Sequence, residues 1–173
     1  MTKYPTLLSA FYFIAGCHSG VVADEIPQGN SEQGIQNFIE KYQAAWASDK
    51  PNAMQAMWHP EGVLHHPILS EPISGEWVPA NNNRTKAVVP GFKWNLVRWA
   101  HRGEFVFIEW KTDAIIVGQP YSWTGVDRMR VVDGKVMEER VYFDTFPLRA
   151  MQNADIPYTP MVAVEELKKF KVD

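Results

Sequence analysis

The chain of 173 residues has little cysteine and no clustered positive charge, and each shortage excludes a class of protein. Its one cysteine is Cys17, so no disulfide can form within the chain. Its 17 basic residues form no run and are outnumbered by 20 acidic ones, which gives a net charge of −3. This balance disfavours nucleic-acid binding, which needs a basic surface.

Metal-ligand spacings are missing as well. The sequence has neither His-x-x-x-His nor Cys-x-x-Cys, the spacings typical of zinc sites. His65 and His66 are adjacent in a predicted strand, where neighbouring side chains point to opposite faces. They therefore cannot join His59 in one cluster, and we expect no metal.

Apolar and aromatic residues are plentiful. Hydrophobic residues make up 46% of the chain, charged residues 21% and aromatic residues 13%, with seven tryptophans. The length and the ordinary globular composition indicate one domain. The aromatic content is consistent with a large core, with a pocket for an apolar ligand, or with both.

The N-terminus, residues 1–23, has the pattern of an export signal. Lys3 supplies a minimal positive start, and residues 6–15 form an apolar stretch of signal length. That stretch is too short to span a membrane as a stable helix. The alternative is an N-terminal helix packed on the domain, or a disordered arm.

Two processing sites compete within this segment. Residues 14–17 (IAGC) resemble a bacterial lipobox, which would place a lipid anchor on Cys17. Residues 21–23 (VVA) fit cleavage by ordinary signal peptidase before Asp24. We expect an exported protein, either periplasmic or anchored to the membrane as a lipoprotein.

The rest of the chain predicts helices followed by strands. Residues 24–30 have the composition of a linker, and residues 31–173 form one predicted domain. Helix signals come first and antiparallel strands follow, which indicates an α+β fold with helices packed on one face of a curved sheet. The predicted elements are helices from residue 31 to about 49 and over 51–57, a strand at 63–66, loops at 70–75 and 81–83 with an optional short helix after the second loop, strands at 94–101, 104–117, 121–132 and 135–144, and helical turns at 147–152 and 162–170.

Tyr42 is a polar residue on the apolar stripe of the first predicted helix. The stripe recurs at helical spacing and consists of Ile35, Phe38, Ile39, Tyr42, Ala45 and Trp46. A phenol in that place is either a structural hydrogen-bonding residue or part of a site.

Asp127 occupies a similar place on a predicted strand. Asp127 and Met129 share one face, whereas Arg128 and Arg130 share the other, which is therefore the expected solvent side. An isolated buried carboxyl should have a raised pKa and stay protonated. The structural alternative is an Asp paired with an arginine or with a tryptophan N–H.

The neighbouring strand supplies an apolar wall that contains Trp110. A strand histidine is the remaining candidate. Strand parity does not choose between His65 and His66, and either one is more often structural than catalytic.

Five segments then carry a resemblance to the ketosteroid isomerase branch of the nuclear-transport-factor-2-like superfamily, which includes the SnoaL-like polyketide cyclases. It covers nearly everything after the export signal, and it implies a cone-shaped α+β barrel that hosts many chemistries. The segments are residues 41–46 (KYQAAW), 58–67 (WHPEGVLHHP), 70–75 (SEPISG), 126–131 (VDRMRV) and 134–139 (GKVMEE).

The resemblance implies roles for individual residues. Tyr42 matches the family's oxyanion-hole tyrosine, and Asp127 matches its protonated aspartic acid, a known case of a carboxyl kept neutral at pH 7. Where the isomerases have a carboxylate base, this chain has His66, whose imidazole can also accept a proton. Glu139 and Asp144 are candidate partners that orient His66.

Three functions remain open from the sequence. The first is a cofactor-free enzyme that transfers a proton on a small apolar carbonyl compound, steroid-like or polyketide-like. Its base would be His66, its oxyanion donors Tyr42 and Asp127, and its pocket walls Trp46, Trp110 and Met129. The second is a lyase, dehydratase or hydrolase on the same scaffold. The third is an exported binding protein for an apolar ligand. By analogy with the family we also expect a homodimer.

Overall fold

The computed structural model describes residues 31–151 and 161–172. The predicted export signal, both processing sites with Cys17, and the linker lie outside the described residues. Within the described ranges, no helix is both long enough and apolar enough to cross a membrane.

The first helix, α1, spans Glu32–Ala47 and follows the predicted apolar stripe. Its N-cap is Ser31, whose hydroxyl accepts a hydrogen bond from the Gly34 N–H at 3.1 Å. Because the apolar stripe faces the core, Tyr42 is only 2% exposed. A 3-10 helix, Ala53–Met57, follows at the place predicted for a second short helix.

The described residues contain six strands: β1 (Trp58–His65), β2 (Ile73–Ser74), β3 (Lys93–Arg102), β4 (Phe105–Ile116), β5 (Gln119–Val132) and β6 (Lys135–Tyr142). They form one open sheet in the order β2-β1-β6-β5-β4-β3. All neighbours pair antiparallel except β1 and β6, which are parallel. The α+β fold class and the four long strands of the second half are therefore confirmed.

The β5–β6 hairpin carries one irregularity that matters for the site. Its turn is Asp133-Gly134, with positive φ angles of 50° and 73°, as the Asp-Gly pair predicts. Val131 pairs with Val136, but Arg130 pairs with Glu138, so the register shifts by one residue. A bulge of this kind reverses the faces of all later β6 side chains.

The predicted loop at residues 81–83 is wrong. These residues lie in the helix α2, Val78–Val88, whose first turn contains Pro79. The three asparagines disfavour a helix by local preference, but Asn82 is buried, and tertiary packing overrides that preference. The predicted strand at 63–66 also begins earlier, at Trp58.

Further helical turns lie near the C-terminus. They are the helix α3, Phe146–Met151, and a 3-10 helix, Val164–Phe170. Alternating residues of β4 and β5 fill the core beneath α1, as strand parity predicts: Val106, Ile108, Trp110, Met129 and Val131 are all buried.

Candidate active site

A cavity of about 600 Å³ lies between the inner face of the sheet and the helices α1 and α2. Most of its wall is apolar and aromatic, and this size suits a small organic ligand. The aromatic lining consists of Tyr42, Trp46, Trp58, Phe92, Trp94, Trp110, Trp123 and Phe143.

Two carboxyl groups, which we call the carboxyl pair, meet in this cavity. Asp127 on β5 and Glu139 on β6 are 3% and 4% exposed, and the two carboxyls lie close enough to affect each other's ionisation. The Trp110 indole Nε1–H donates to Asp127 Oδ1 at 2.7 Å, and the Tyr42 hydroxyl donates to Glu139 at 3.3 Å. Each carboxyl therefore has a partner from a different element of the fold.

Gly125 leaves the space that the Trp110 indole occupies. It pairs directly with Trp110 across β4 and β5, and a Cβ at this position would collide with the indole ring. Because the position has no side chain, the ring can lie against the strand and reach Asp127.

Burial dominates the acid–base properties of the carboxyl pair. It raises the pKa of Asp127 to about 7, although hydrogen bonds from Trp110 and Glu139 work in the opposite direction. Burial also raises the pKa of Glu139, and the nearby Asp127 charge adds to that rise. Two adjacent buried carboxylates cannot both ionise without a large cost, so the pair holds a proton at neutral pH.

Tyr42 stays protonated beside this pair. Burial raises the pKa of its phenol well above the usual value, and the charges of Glu139 and Asp127 raise it further. The Trp46 N–H lies close enough to lower that pKa slightly, without hydrogen-bond geometry. Tyr42 is therefore a hydrogen-bond donor, directed at Glu139 in the unliganded site.

His66 lies directly after β1 and lines the same cavity. Burial lowers its pKa to about 4, so the imidazole is neutral at pH 7. Its Nδ1 accepts the Ile68 N–H at 3.4 Å, and we therefore assign the proton to Nε2. The Phe143 ring contacts both His66 and Trp110, with centroid distances of 5.6 and 5.7 Å.

The structure brings most of the predicted site residues together. Tyr42, His66, Asp127, Trp46 and Trp110 all line the cavity, whereas Met129 is fully buried in the core and is not a lining residue. His66 and not His65 lies on this cavity, a choice that strand parity left open.

Glu139 plays a different part from the one considered for it. Its carboxyl turns to Tyr42 and Asp127, while Asp144 accepts the Phe146 N–H at 2.9 Å. Within the described part of the chain, neither Glu139 nor Asp144 makes a hydrogen bond with His66. From the sequence, Glu139 is a candidate only as a partner of His66, and its place beside Asp127 is not predicted, because the β6 bulge decides which face Glu139 occupies.

The described residues include no group of three or more His, Cys, Asp or Glu that is arranged to hold a metal ion. The polar groups at and around the carboxyl pair are two carboxyls, a phenol, an imidazole and an indole N–H. Together they can accept, hold and donate protons inside an apolar enclosure.

A model of the SnoaL-like domain family matches residues 39–139, more than half of the chain. The chain therefore belongs to the SnoaL-like family, as the sequence resemblance predicted. No curated protein matches it.

Solved structures agree on the fold. A protein of ketosteroid isomerase-like fold from Catenulispora acidiphila, crystallised with trimethylamine, is 18% identical, with a TM-score of 0.61 over 71% of this chain and 97% of that one. IdmH of Streptomyces antibioticus, a proposed polyketide cyclase, is 18% identical, with a TM-score of 0.58 over 69% and 98%. An LEH-like epoxide hydrolase of M. tuberculosis is 19% identical, with a TM-score of 0.57 over 69% and 89%.

Proposed function

We propose that this protein is a cofactor-free enzyme that transfers a proton on a small apolar carbonyl compound, as an isomerase or a cyclase does. The observation that carries the proposal is the proton-holding carboxyl pair, Asp127 and Glu139, buried in an apolar cavity that also contains a neutral His66. Removing a proton beside a carbonyl requires a base and hydrogen-bond donors for the enolate oxygen.

Two assignments of roles satisfy this requirement. In the first, His66 takes the proton, and Tyr42 and a protonated Asp127 donate hydrogen bonds to the enolate. In the second, ionised Asp127 takes the proton, and His66 donates through its Nε2–H. The second assignment has more support, because a pKa near 7 suits a base at neutral pH and because His66 Nδ1 already accepts a backbone N–H.

A ketosteroid isomerisation assay tests the proposal. Purified protein is mixed with a β,γ-unsaturated ketosteroid, and the absorbance of the conjugated enone is followed. We expect turnover that falls by about 100-fold or more in His66→Ala. His65→Ala is the matched control, since the neighbouring histidine does not line this cavity and should retain full turnover.

The pH profile of kcat/KM then separates the two assignments. If Asp127 is the base, the rate rises with an apparent pKa near 7. If His66 is the base, the rise comes near pH 4. Turnover that is equal in wild type and His66→Ala contradicts both assignments.

The carboxyl pair supports a second candidate, addition or removal of water. One ionised carboxyl can activate a water while its protonated neighbour supplies an acid, so a hydrolase, lyase or dehydratase is chemically reasonable. Mass spectrometry of substrate and product decides, because such a reaction changes the mass by one water and an isomerisation does not.

A further inference from the structure

The helix α2 turns a polar stripe toward the cavity. A helix next to an apolar space normally presents its apolar face to it. Here the cavity-lining residues of the helix include Asn81, Asn82, Arg84 and Thr85. The Thr85 hydroxyl bonds back to the Asn81 carbonyl at 2.9 Å, but Asn82 Nδ2 and Arg84 Nε have no hydrogen-bond partner among the described residues.

Asn82 is the clearest case. Its side chain is 4% exposed, and its amide Nδ2 makes no hydrogen bond with any described residue. The adjacent Asn83 differs, because its Nδ2 donates to the Phe170 carbonyl at 3.1 Å. A buried donor without a partner is costly, so it usually marks a place where a ligand or a water completes the structure.

Arg84, on the same helix, adds a positive charge to the lining of the cavity. Its side chain is 15% exposed, and its buried Nε has no hydrogen-bond partner among the described residues. The carboxylate of Glu166 lies 3.8 Å from that nitrogen, beyond hydrogen-bond distance, and is half exposed. Among the described residues that line the cavity, Arg84 is the one guanidinium or ammonium group.

We propose that Asn82 and Arg84 form an oxyanion-binding subsite, so that the ligand is an apolar, aromatic-sized molecule carrying a carboxylate-like group. The guanidinium supplies charge and paired donors, and the amide adds a neutral donor. The inference rests on the proposed function in one respect: the anchored oxyanion would hold the carbonyl end of the substrate toward the carboxyl pair. Its test measures binding alone and does not depend on turnover.

The first measurement uses the unmodified protein and two fluorescent probes. 8-Anilinonaphthalene-1-sulfonate and N-phenyl-1-naphthylamine share one aromatic skeleton and differ by the sulfonate. We expect the sulfonate probe to bind about tenfold more tightly or better, the gain from a charge-assisted hydrogen bond. When the two compounds are used to displace a bound probe, 2-naphthoate should likewise bind more tightly than 2-naphthamide. Equal affinities in both pairs overturn the proposal.

Variants then show which residues cause the preference for the sulfonate probe. Arg84→Met and Asn82→Leu should each weaken the sulfonate probe by about tenfold while the neutral probe binds as before, which also reports an intact cavity. Lys86→Met is the matched control. It removes a cation from the same helix, but Lys86 does not line the cavity and donates to the Ser48 carbonyl. A sulfonate preference that survives in Arg84→Met, or is lost equally in Lys86→Met, overturns the proposal. Absence of ketosteroid turnover would count against the proposed function only.

Discussion

Two sets of buried polar groups in one cavity, one on the sheet and one on α2, differ in whether the protein satisfies their hydrogen bonds. In the set that we call the sheet wall, Trp110, Asp127 and Glu139, every polar side chain has a protein partner. Elsewhere on the same sheet, the Trp58 Nε1–H has no partner among the described residues. On the helix wall, formed by Asn82 and Arg84, the donors Nδ2 and Nε have no hydrogen-bond partner in the described chain. The sheet wall is therefore held in place by its own hydrogen bonds, whereas the helix wall has donors that are free to bind a ligand. In our proposals the first carries the proton transfer and the second binds the ligand.

The physical basis of the contrast is the low polarity of the surroundings. In such an environment a satisfied hydrogen bond is strengthened and an unsatisfied group is penalised. Substitutions on the sheet wall should therefore disturb both stability and chemistry. Substitutions on the helix wall should disturb ligand binding and leave the free protein nearly unchanged.

The largest effect is expected from removing a carboxyl from the sheet wall. Asp127→Leu should reduce kcat for ketosteroid isomerisation by about 100- to 1000-fold, because the reaction loses its base or, in the other assignment, a hydrogen-bond donor to the enolate. Asp113→Asn is the control, a carboxyl on the outer face of the sheet that should leave kcat unchanged. Full turnover in Asp127→Leu would show that the sheet wall takes no part in the reaction.

The next effect concerns the pH dependence of stability. Burial raises the pKa of Asp127 to about 7, so the folded protein keeps a proton that the unfolded chain loses near pH 4. This contribution is complete below pH 4 and is lost as the pH rises toward 7. Between about pH 5 and about pH 8, wild type should therefore lose more unfolding free energy than Asp127→Asn, which keeps the buried Glu139 but has no titrating group at position 127.

Wild type must be compared with Asp127→Asn because the titration of His66 changes the unfolding free energy in the opposite direction. Its lowered pKa gives a contribution that is present above about pH 6.5 and is lost as the pH falls toward 4. That contribution is common to both proteins and cancels in the difference. Parallel stability curves measured by urea unfolding would mean that Asp127 is not the carboxyl of the pair whose raised pKa governs stability in this range.

A smaller effect is expected from removing one donor of the sheet wall. Trp110→Phe keeps the aromatic ring but deletes the 2.7 Å hydrogen bond to Asp127, and should cost about 1–3 kcal/mol of unfolding free energy. Trp123→Phe removes another cavity indole whose N–H makes no described hydrogen bond to the carboxyl pair. Urea unfolding above pH 7 should show the loss in the first variant and a smaller one in the second.

The smallest effect is expected on the helix wall. Asn82→Leu replaces an amide whose donor is unsatisfied, so stability should stay constant or rise by up to about 1 kcal/mol. Asn83→Leu on the same helix breaks the bond to the Phe170 carbonyl and should cost about 1 kcal/mol. Thermal or urea unfolding measures both. A larger loss in Asn82→Leu than in Asn83→Leu would show that the helix wall is satisfied in the free protein.

The sequence by itself determined the fold class and most of the sheet. Apolar periodicity located α1, strand alternation placed Asp127 and Trp110 on the inner face, and Asp133-Gly134 marked the β5–β6 turn. These are local properties of the chain, set by side-chain period and turn chemistry, so they can be read from neighbouring residues.

Only the tertiary structure decided which distant side chains meet. Counting from the Asp-Gly turn without a bulge places Glu139 opposite Arg128, on the outer face, whereas the one-residue register shift places it opposite Met129, beside Asp127. The same holds for α2, whose three asparagines disfavour a helix locally, although two of them, Asn81 and Asn82, line the cavity in the folded protein. Bulges and buried polar helix faces depend on contacts between distant segments, and the order of residues along the chain does not encode those contacts locally.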